Sequence, residues 1–301
     1  MHNKIRYKTG LDDECWFREK GGSPMLDEYD CGEIYIRHAV DKEPDEKYFE
    51  MHIHDRCEIY FFISGRVNYL VESTEYFLEE KSLVIMRPAE AHKARIVERV
   101  QYERYAINFP MAFVLTFDPR GYLLRAFTER ALGKNNYYGP EELDMKLVER
   151  MFEEMLAERE DDKRQLTLTI HLLFLLSELN RAFAEKGRTD EYPQSQAGKI
   201  VSYVNHHLFE PLSVSALAEH FYLSCSQFGR IFKEATGAPP WEYIVRKRLT
   251  VAKEKIRNGL PAQKAAEKCG FGNYSAFYRA YVGYFGCSPM GEKNRESHES
   301  L

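Results

Sequence analysis

The sequence has few cysteines for its length, six in 301 residues (Cys15, Cys31, Cys57, Cys225, Cys269 and Cys287), with no CxxC pair among them. That spacing excludes a zinc-thiolate fold and reads as reduced thiols in a cytosol. No charged-then-apolar segment with a cleavage site opens the chain, so no secretory leader is expected. The longest apolar run, near Ile170 to Leu176, is too short and too interrupted for a bilayer span to be expected. Aromatic residues are not scarce: 20 Tyr and 19 Phe argue against disorder. The expectation is a soluble, cytoplasmic chain long enough for two domains with separate cores.

Charge is divided unevenly. From Ser195 onward there are 14 Lys and Arg against 9 Asp and Glu, a balance of +5, which leaves −10 for the rest of a chain whose net charge is −5. A basic segment beside an acidic one fits a nucleic-acid surface joined to a domain that avoids nucleic acid.

The basic segment repeats itself. Val214, Leu217, Ala218 and Phe221 recur 48 positions later as Ala262, Ala265, Ala266 and Cys269, and Phe228, Ile231 and Phe232 recur at an offset of 49 as Phe277, Ala280 and Tyr281. Arg230, Gly237 and Pro240 likewise match Arg279, Gly286 and Pro289. Each unit has helix-turn-helix punctuation. Ser213 caps a helix ending near His220, Ser224 and Gln227 form a capping box for the next, and Gly237 stops it. In the second unit Asn273 is the cap and Gly286 the stop. Ala218 and Ala266 sit where two helices must cross closely.

The tract GF-x-N-x-S-x-F-x-R from Gly270, ending in FG-x-SP, resembles the DNA-binding domain of AraC-type transcription regulators over roughly the last hundred residues. The resemblance implies a seven-helix domain that places the second helix of each unit in the major groove of promoter DNA. Arg230 and Arg279 then read or clamp the duplex, Ser226 and Ser275 contact base or phosphate, Tyr274 lies on a thymine methyl or phosphate, and Lys233 grips the backbone. Gly229 and Gly283 depart from the family pattern and weaken the grip where they stand. The connecting helix, about Pro240 to Asn258, is expected to bury Trp241, Ile244, Val245, Leu249, Ala252 and Ile256. Its Arg246, Lys247 and Arg248 are either solvated or on phosphate.

Before residue 110, β-rich runs (Glu33–Ala39, Cys57–Ile63, Val67–Val71, Leu83–Met86, Tyr102–Asn108) alternate with turn signals, after an irregular arm over residues 1–30. His52, His54, Glu58 and Gly65 form an HxHxxxExxxxxxG pattern and RPAEAH ends at His92, which together resemble the two motifs of the cupin barrel. Two readings stay open. Either His52, His54, Glu58 and His92 ligate a divalent metal, or His52, Glu58 and His92 line an effector pocket with Tyr60, and Phe62 and Tyr69 nearby. His54 is the weakest ligand, because the charged Asp55-Arg56 corner follows it. Arg37 and Arg95 are candidates for an acidic ligand.

After Pro110 the period becomes helical, over Gly121–Leu132, Glu141–Arg159 and Gln165–Lys186. The resemblance implies a homodimer through this region, with Leu147, Met151, Phe174 and Leu175 as its contacts. The polar tract 187–198 reads as a linker. The expected fold is therefore α+β with two domains: a cupin-like β-barrel (1–110) with a helical extension (111–186), then an all-α tandem helix-turn-helix domain (199–292). The expected function is a DNA-binding regulator controlled by a small-molecule effector, a carbohydrate by family resemblance, with RNA polymerase a further partner and no cofactor. The alternatives are a metal-dependent cupin enzyme (isomerase or oxygenase) and a constitutive DNA binder whose barrel is only a dimer scaffold.

Overall fold

A computed structural model describes residues 25–186 and 195–291. The arm up to residue 24, the centre of the expected linker (187–194) and the tail from 292 lie outside the described residues.

The first domain is built on nine strands, β1 (Met25–Asp30), β2 (Tyr35–Asp41), β3 (Cys57–Ser64), β4 (Val67–Val71), β5 (Thr74–Phe77), β6 (Ser82–Met86), β7 (His92–Ile96), β8 (Tyr102–Phe109) and β9 (Tyr137–Tyr138). They form two antiparallel sheets, six-stranded in the order β1-β2-β8-β3-β6-β9 and three-stranded in the order β5-β4-β7, so the barrel is not closed. β3 shows how one run serves both faces. Because side chains alternate, Cys57, Ile59 and Phe61 turn outward into a core shared with the helices. Glu58, Tyr60 and Phe62 take the opposite parity, where Tyr60 and Phe62 meet Tyr69, Val71 and Tyr102 between the sheets. Burial on both sides explains why the strand reads as a near-continuous apolar run.

The outer face of the large sheet is covered by α1 (Met111–Phe117), a 3-10 turn (Tyr122–Leu124), α2 (Arg125–Thr128), α3 (Met145–Ala157) and α4 (Asp161–Lys186). Three expectations change here. The helix expected over 121–132 breaks at Thr128, because the chain turns to bring Gly133 N and the Asn136 side chain onto Glu90 and the carbonyl of Ile85. The next helix opens at Met145 rather than at Gly139-Pro140, since Asp144 caps the amides of Lys146 and Leu147. α4 begins at Asp161 and, by length and composition, is long and apolar enough to cross a membrane, contrary to the reading of its central run. Its Leu168, Leu172, Leu175, Leu176 and Leu179 are packed in the domain core.

Burial also corrects the expected dimer contacts. Met151 and Leu175 are 2% and 0% exposed and belong to the intradomain core, so neither offers an outward surface, while Leu147 is half-buried and packs against that core. Phe174 is outward, in line with Leu166 and Ile170 at helical spacing.

Six helices follow among the described residues: α5 (Gln196–His206), α6 (Val214–His220), α7 (Cys225–Thr236), α8 (Pro240–Arg257), α9 (Ala262–Lys268) and α10 (Tyr274–Phe285). Ser195 caps α5, so residues 196–198, expected in the linker, are helical. The anticipated caps are all made: Ser213 to Ala216 N, the reciprocal Ser224–Gln227 box, and Asn273 to Ser275 N and Ala276 N. Gly237 and Gly286 stop α7 and α10 in the left-handed conformation, at φ 82° and 67°.

Candidate functional site

The recognition faces form by subtraction. In α7, Phe228 and Phe232 are fully buried, which leaves Ser226, Arg230 and Lys233 in water. In α10, Phe277 and Tyr281 are buried, while Tyr274, Ser275, Tyr278 and Arg279 are exposed. Among the described residues Arg230 pairs with Glu234 one turn on, at 3.8 Å with both side chains largely exposed, a contact worth little in solvent. Its guanidinium is available to a base edge or a phosphate.

The connecting helix α8 departs from expectation. Lys247 and Arg248 are buried, at 2% and 4% exposure, and neither is solvated nor placed to meet phosphate. Arg248 donates to the carbonyl oxygens of Leu208, Gly270 and Glu210 at 2.7, 2.8 and 2.6 Å, tying the two helix-turn-helix units together. Lys247 reaches Glu72, in the turn between β4 and β5, at 2.6 Å. Trp241 is half exposed and Val245 half-buried, because Tyr243 and Ile244 take the inward face.

Glu72 is the hub of this contact. One carboxylate oxygen accepts from Ala91 N at 2.9 Å and from Lys247, and the other accepts from Asn205 Nδ2 at 3.0 Å and from the Tyr243 hydroxyl. Asn205 closes the network, its Oδ1 accepting from Lys247 and lying 3.0 Å from the Tyr243 hydroxyl. Glu72 holds φ at 55°, which is uncommon for a residue with a Cβ, and the donors around its carboxylate fix it there. Burial and the neighbouring Glu72 carboxylate keep the Tyr243 phenol well above its usual pKa. A second ion-pair cluster joins Asp55 to Arg257 at 2.7 Å and to Lys253 at 3.5 Å. Burial opposes the charge on Asp55, and the two cations overcome that and hold its carboxyl well below the usual range. Apolar contact is continuous too, with Met51, Ile53 and Ala91 in one core with Phe232, Tyr243 and Ile244. None of these pairings was legible in the sequence, since each joins residues far apart in the chain.

The His/Glu group converges as expected. Residues 52–54 are not a strand, and only His52 makes an isolated bridge, to His92 at the start of β7. His54, expected to be the weakest member, turns inward with its Nε2 2.9 Å from Glu58 Oε2. His92 Nε2 lies 3.2 Å from the same oxygen, and the His52 ring packs against His92 with centroids 4.2 Å apart. The four ligand atoms lie within 4.8 Å of one another.

Burial and the neighbouring His92 keep His52 well below the ordinary imidazole range. Burial also opposes charge on Glu58 and His92, yet the hydrogen bonds of Glu58 with His54 and His92 hold its carboxyl well below the usual range, and the bond to Glu58 raises His92. Tyr60 lies deeper, against Tyr102 and Tyr69. Arg95 is engaged by Glu75 and the carbonyl of Glu234. Glu90, which departs from the cupin pattern, is fully buried and bonded to Arg130 at 2.6 Å, with the Arg130 guanidinium bringing its carboxyl down to about 2 against the cost of burial.

Comparison with known proteins agrees with this architecture. The model of an AraC-like ligand binding domain matches residues 36–176, and that of a helix-turn-helix domain matches residues 217–295. The chain is similar to the probable transcriptional regulator LumQ of Photobacterium leiognathi, 28% identical over 156 residues that are 52% of this chain and 61% of that protein. It is also similar to the RCS-specific HTH-type transcriptional activator RclR of Escherichia coli (strain K12), 32% identical over 84 residues, 28% of this chain and 30% of that one. The chain thus spans less than two thirds of either relative. Among solved structures, ToxT from Vibrio cholerae O395 is 11% identical with a TM-score of 0.36, over 87% of this chain and 98% of that one. With a ligand-binding domain model followed by a helix-turn-helix model in one chain, the protein belongs to the AraC-type transcription regulators.

Proposed function

We propose that the protein is a sequence-specific DNA-binding transcription regulator in which the tandem units contact promoter DNA and the N-terminal domain controls them through a bound effector. The observation that carries the reading is the matched pair of recognition helices, α7 and α10. Each is capped at its start, anchored by two buried aromatics, and leaves an arginine exposed among short polar and aromatic side chains. An arginine there bonds bidentately to guanine or clamps phosphate.

Control runs through the contact between Glu72 and Lys247. An effector seated near Glu58, His52, His92 and Tyr60 changes how firmly the first domain holds α8, and its differential affinity for held and released forms shifts their populations. The protein acts by binding rather than by turnover, in the cytoplasm, as a homodimer. The exposed Leu166, Ile170 and Phe174 of α4 form the face we assign to the second copy, since an apolar stripe of this kind needs cover.

Selection of genomic fragments by purified protein, across a range of salt, tests the reading. The expected result is a bipartite site with half-sites about one turn, roughly 34 Å, apart, and an affinity that falls steeply as salt rises. Failure to enrich any fragment at low salt, with effector candidates present or absent, would sink it.

A further inference from the structure

The same turn is built twice in the DNA-binding domain, with different residues at its tightest point. After α6, Tyr222 N donates to the carbonyl of Glu219 at 3.0 Å and Leu223 N to that of Ala218 at 2.9 Å. After α9, Gly270 N donates to the carbonyl of Glu267 at 3.1 Å and Phe271 N to that of Ala266 at 3.0 Å. Paired bonds of this kind close a helix through one left-handed residue, a place that glycine fills without steric penalty. Gly270 accordingly has φ 78°, and its equivalent Tyr222 has φ 56°.

A bulky residue at positive φ is an outlier, and its conformation costs free energy that something must offset. Glu72 is the contrast, since its φ of 55° is fixed by the donors around its buried carboxylate. Tyr222 has no such support, because it is 96% exposed and buries almost nothing. Leu223 is the residue that anchors the turn in the apolar core. Glycine would make the same turn with less strain, so the fold of the unit does not account for the tyrosine.

The place of Tyr222 in the unit indicates its partner. It stands two residues before Ser224, the cap of recognition helix α7, whose exposed face carries Ser226 and Arg230. In a helix-turn-helix the first helix crosses the backbone of the duplex and the second enters the groove with its N-terminal residues against the bases. The turn between them consequently lies at the edge of the groove, where a tyrosine hydroxyl can donate to a phosphate oxygen. The second unit has no room for the same contact, for a Cβ on Gly270 would lie 2.6 Å from the carbonyl oxygen of Phe209. It also has Val282 where the first unit has Lys233.

We propose that Tyr222 donates its hydroxyl to a DNA phosphate beside the first recognition helix, and that with Lys233 it makes the first unit the one that grips the backbone. The inference rests on the reading of the protein as a DNA binder and assigns the two units unequal parts in it. A phenol carries no charge, so its bond adds affinity for every sequence alike without releasing a counterion of its own. The strain at Tyr222 is then offset in the complex and not in the free protein.

The test uses the full chain and its Tyr222→Phe, Tyr222→Gly and Arg230→Ala variants, titrated with a mixed-sequence duplex at low salt, where backbone contacts set the affinity. Tyr222→Phe and Tyr222→Gly should each weaken binding at least about fivefold, the loss of one hydrogen bond to a charged group. Their salt slopes should stay at the wild-type value, whereas Lys233→Ala lowers the slope by about one. Thermal unfolding should give Tyr222→Gly a Tm at or above that of wild type, so that stability and affinity part company. A Tm that falls with the affinity overturns the assignment, because the ring then serves the fold. Wild-type affinity in Tyr222→Phe with a loss in Tyr222→Gly alone overturns the hydroxyl–phosphate bond. Wild-type affinity in both, with Arg230→Ala weakened, overturns the DNA contact while leaving the DNA-binding reading intact, and hands the exposed ring to a protein partner. A wild-type chain that binds no duplex overturns both readings together.

Discussion

Lys247 of the connecting helix ends 2.6 Å from Glu72 of the N-terminal domain, and each side chain is only 2% exposed. Removing one partner strands the other charge away from water, a change that typically costs about 3–5 kcal/mol. Glu72→Ala and Lys247→Ala should each lower stability by that order in urea unfolding, or split one transition into two as the domains separate. The double variant should lose less than the sum of the two, because neither charge is then left alone. Strict additivity would show that the pair does not couple the domains.

Arg230 and Arg279 should matter to DNA in the same way in both units. Arg230→Ala or Arg279→Ala is expected to weaken binding by about 1–3 kcal/mol and to relax preference at one position of the site. Lys233→Ala should weaken all sequences alike and reduce the salt slope by about one. Mobility-shift titrations over a set of single-base variants read both effects.

Two glycines in the second helix-turn-helix unit should respond oppositely to the same change. Gly283 lies inside α10, and a Cβ built there meets nothing within 4 Å, so Gly283→Ala should stabilise by about 1 kcal/mol. Gly270 holds φ at 78°, and its Cβ would lie 2.6 Å from the carbonyl oxygen of Phe209, so Gly270→Ala should lower Tm. Thermal unfolding of the two variants side by side decides the matter.

On α4 the outward and inward apolar residues should separate assembly from folding. Ile170→Glu or Phe174→Glu is expected to yield a folded monomer by sedimentation. Leu175→Glu puts a charge where no water reaches and should unfold the domain. A wild-type protein that sediments as a monomer would remove the dimer face altogether.

Local signals in the sequence carried much of this protein. The capping residues Ser213, Ser224 and Asn273, the stops Gly237 and Gly286, and the buried pairs Phe228/Phe232 and Phe277/Tyr281 were all legible, because each depends on neighbours within one or two turns of helix. The convergence of His52, Glu58 and His92 was legible as well, through the cupin-like motif pattern, although residues 52–54 are irregular and are steered by the bridge to His92.

What the sequence could not decide was which buried face meets which. Periodicity marks Met151 and Leu175 as apolar without saying that the sheet of their own domain covers them. It marks Lys247 as a cation on a basic helix, where solvent or phosphate was the natural partner. Only the fold brings Glu72, 175 residues away in the chain, against it. Helix and turn formation are settled by short-range sterics and hydrogen bonds, which a stretch of sequence contains. Pairings between domains are settled by shape and charge complementarity between distant segments, and those become visible once the chain is folded.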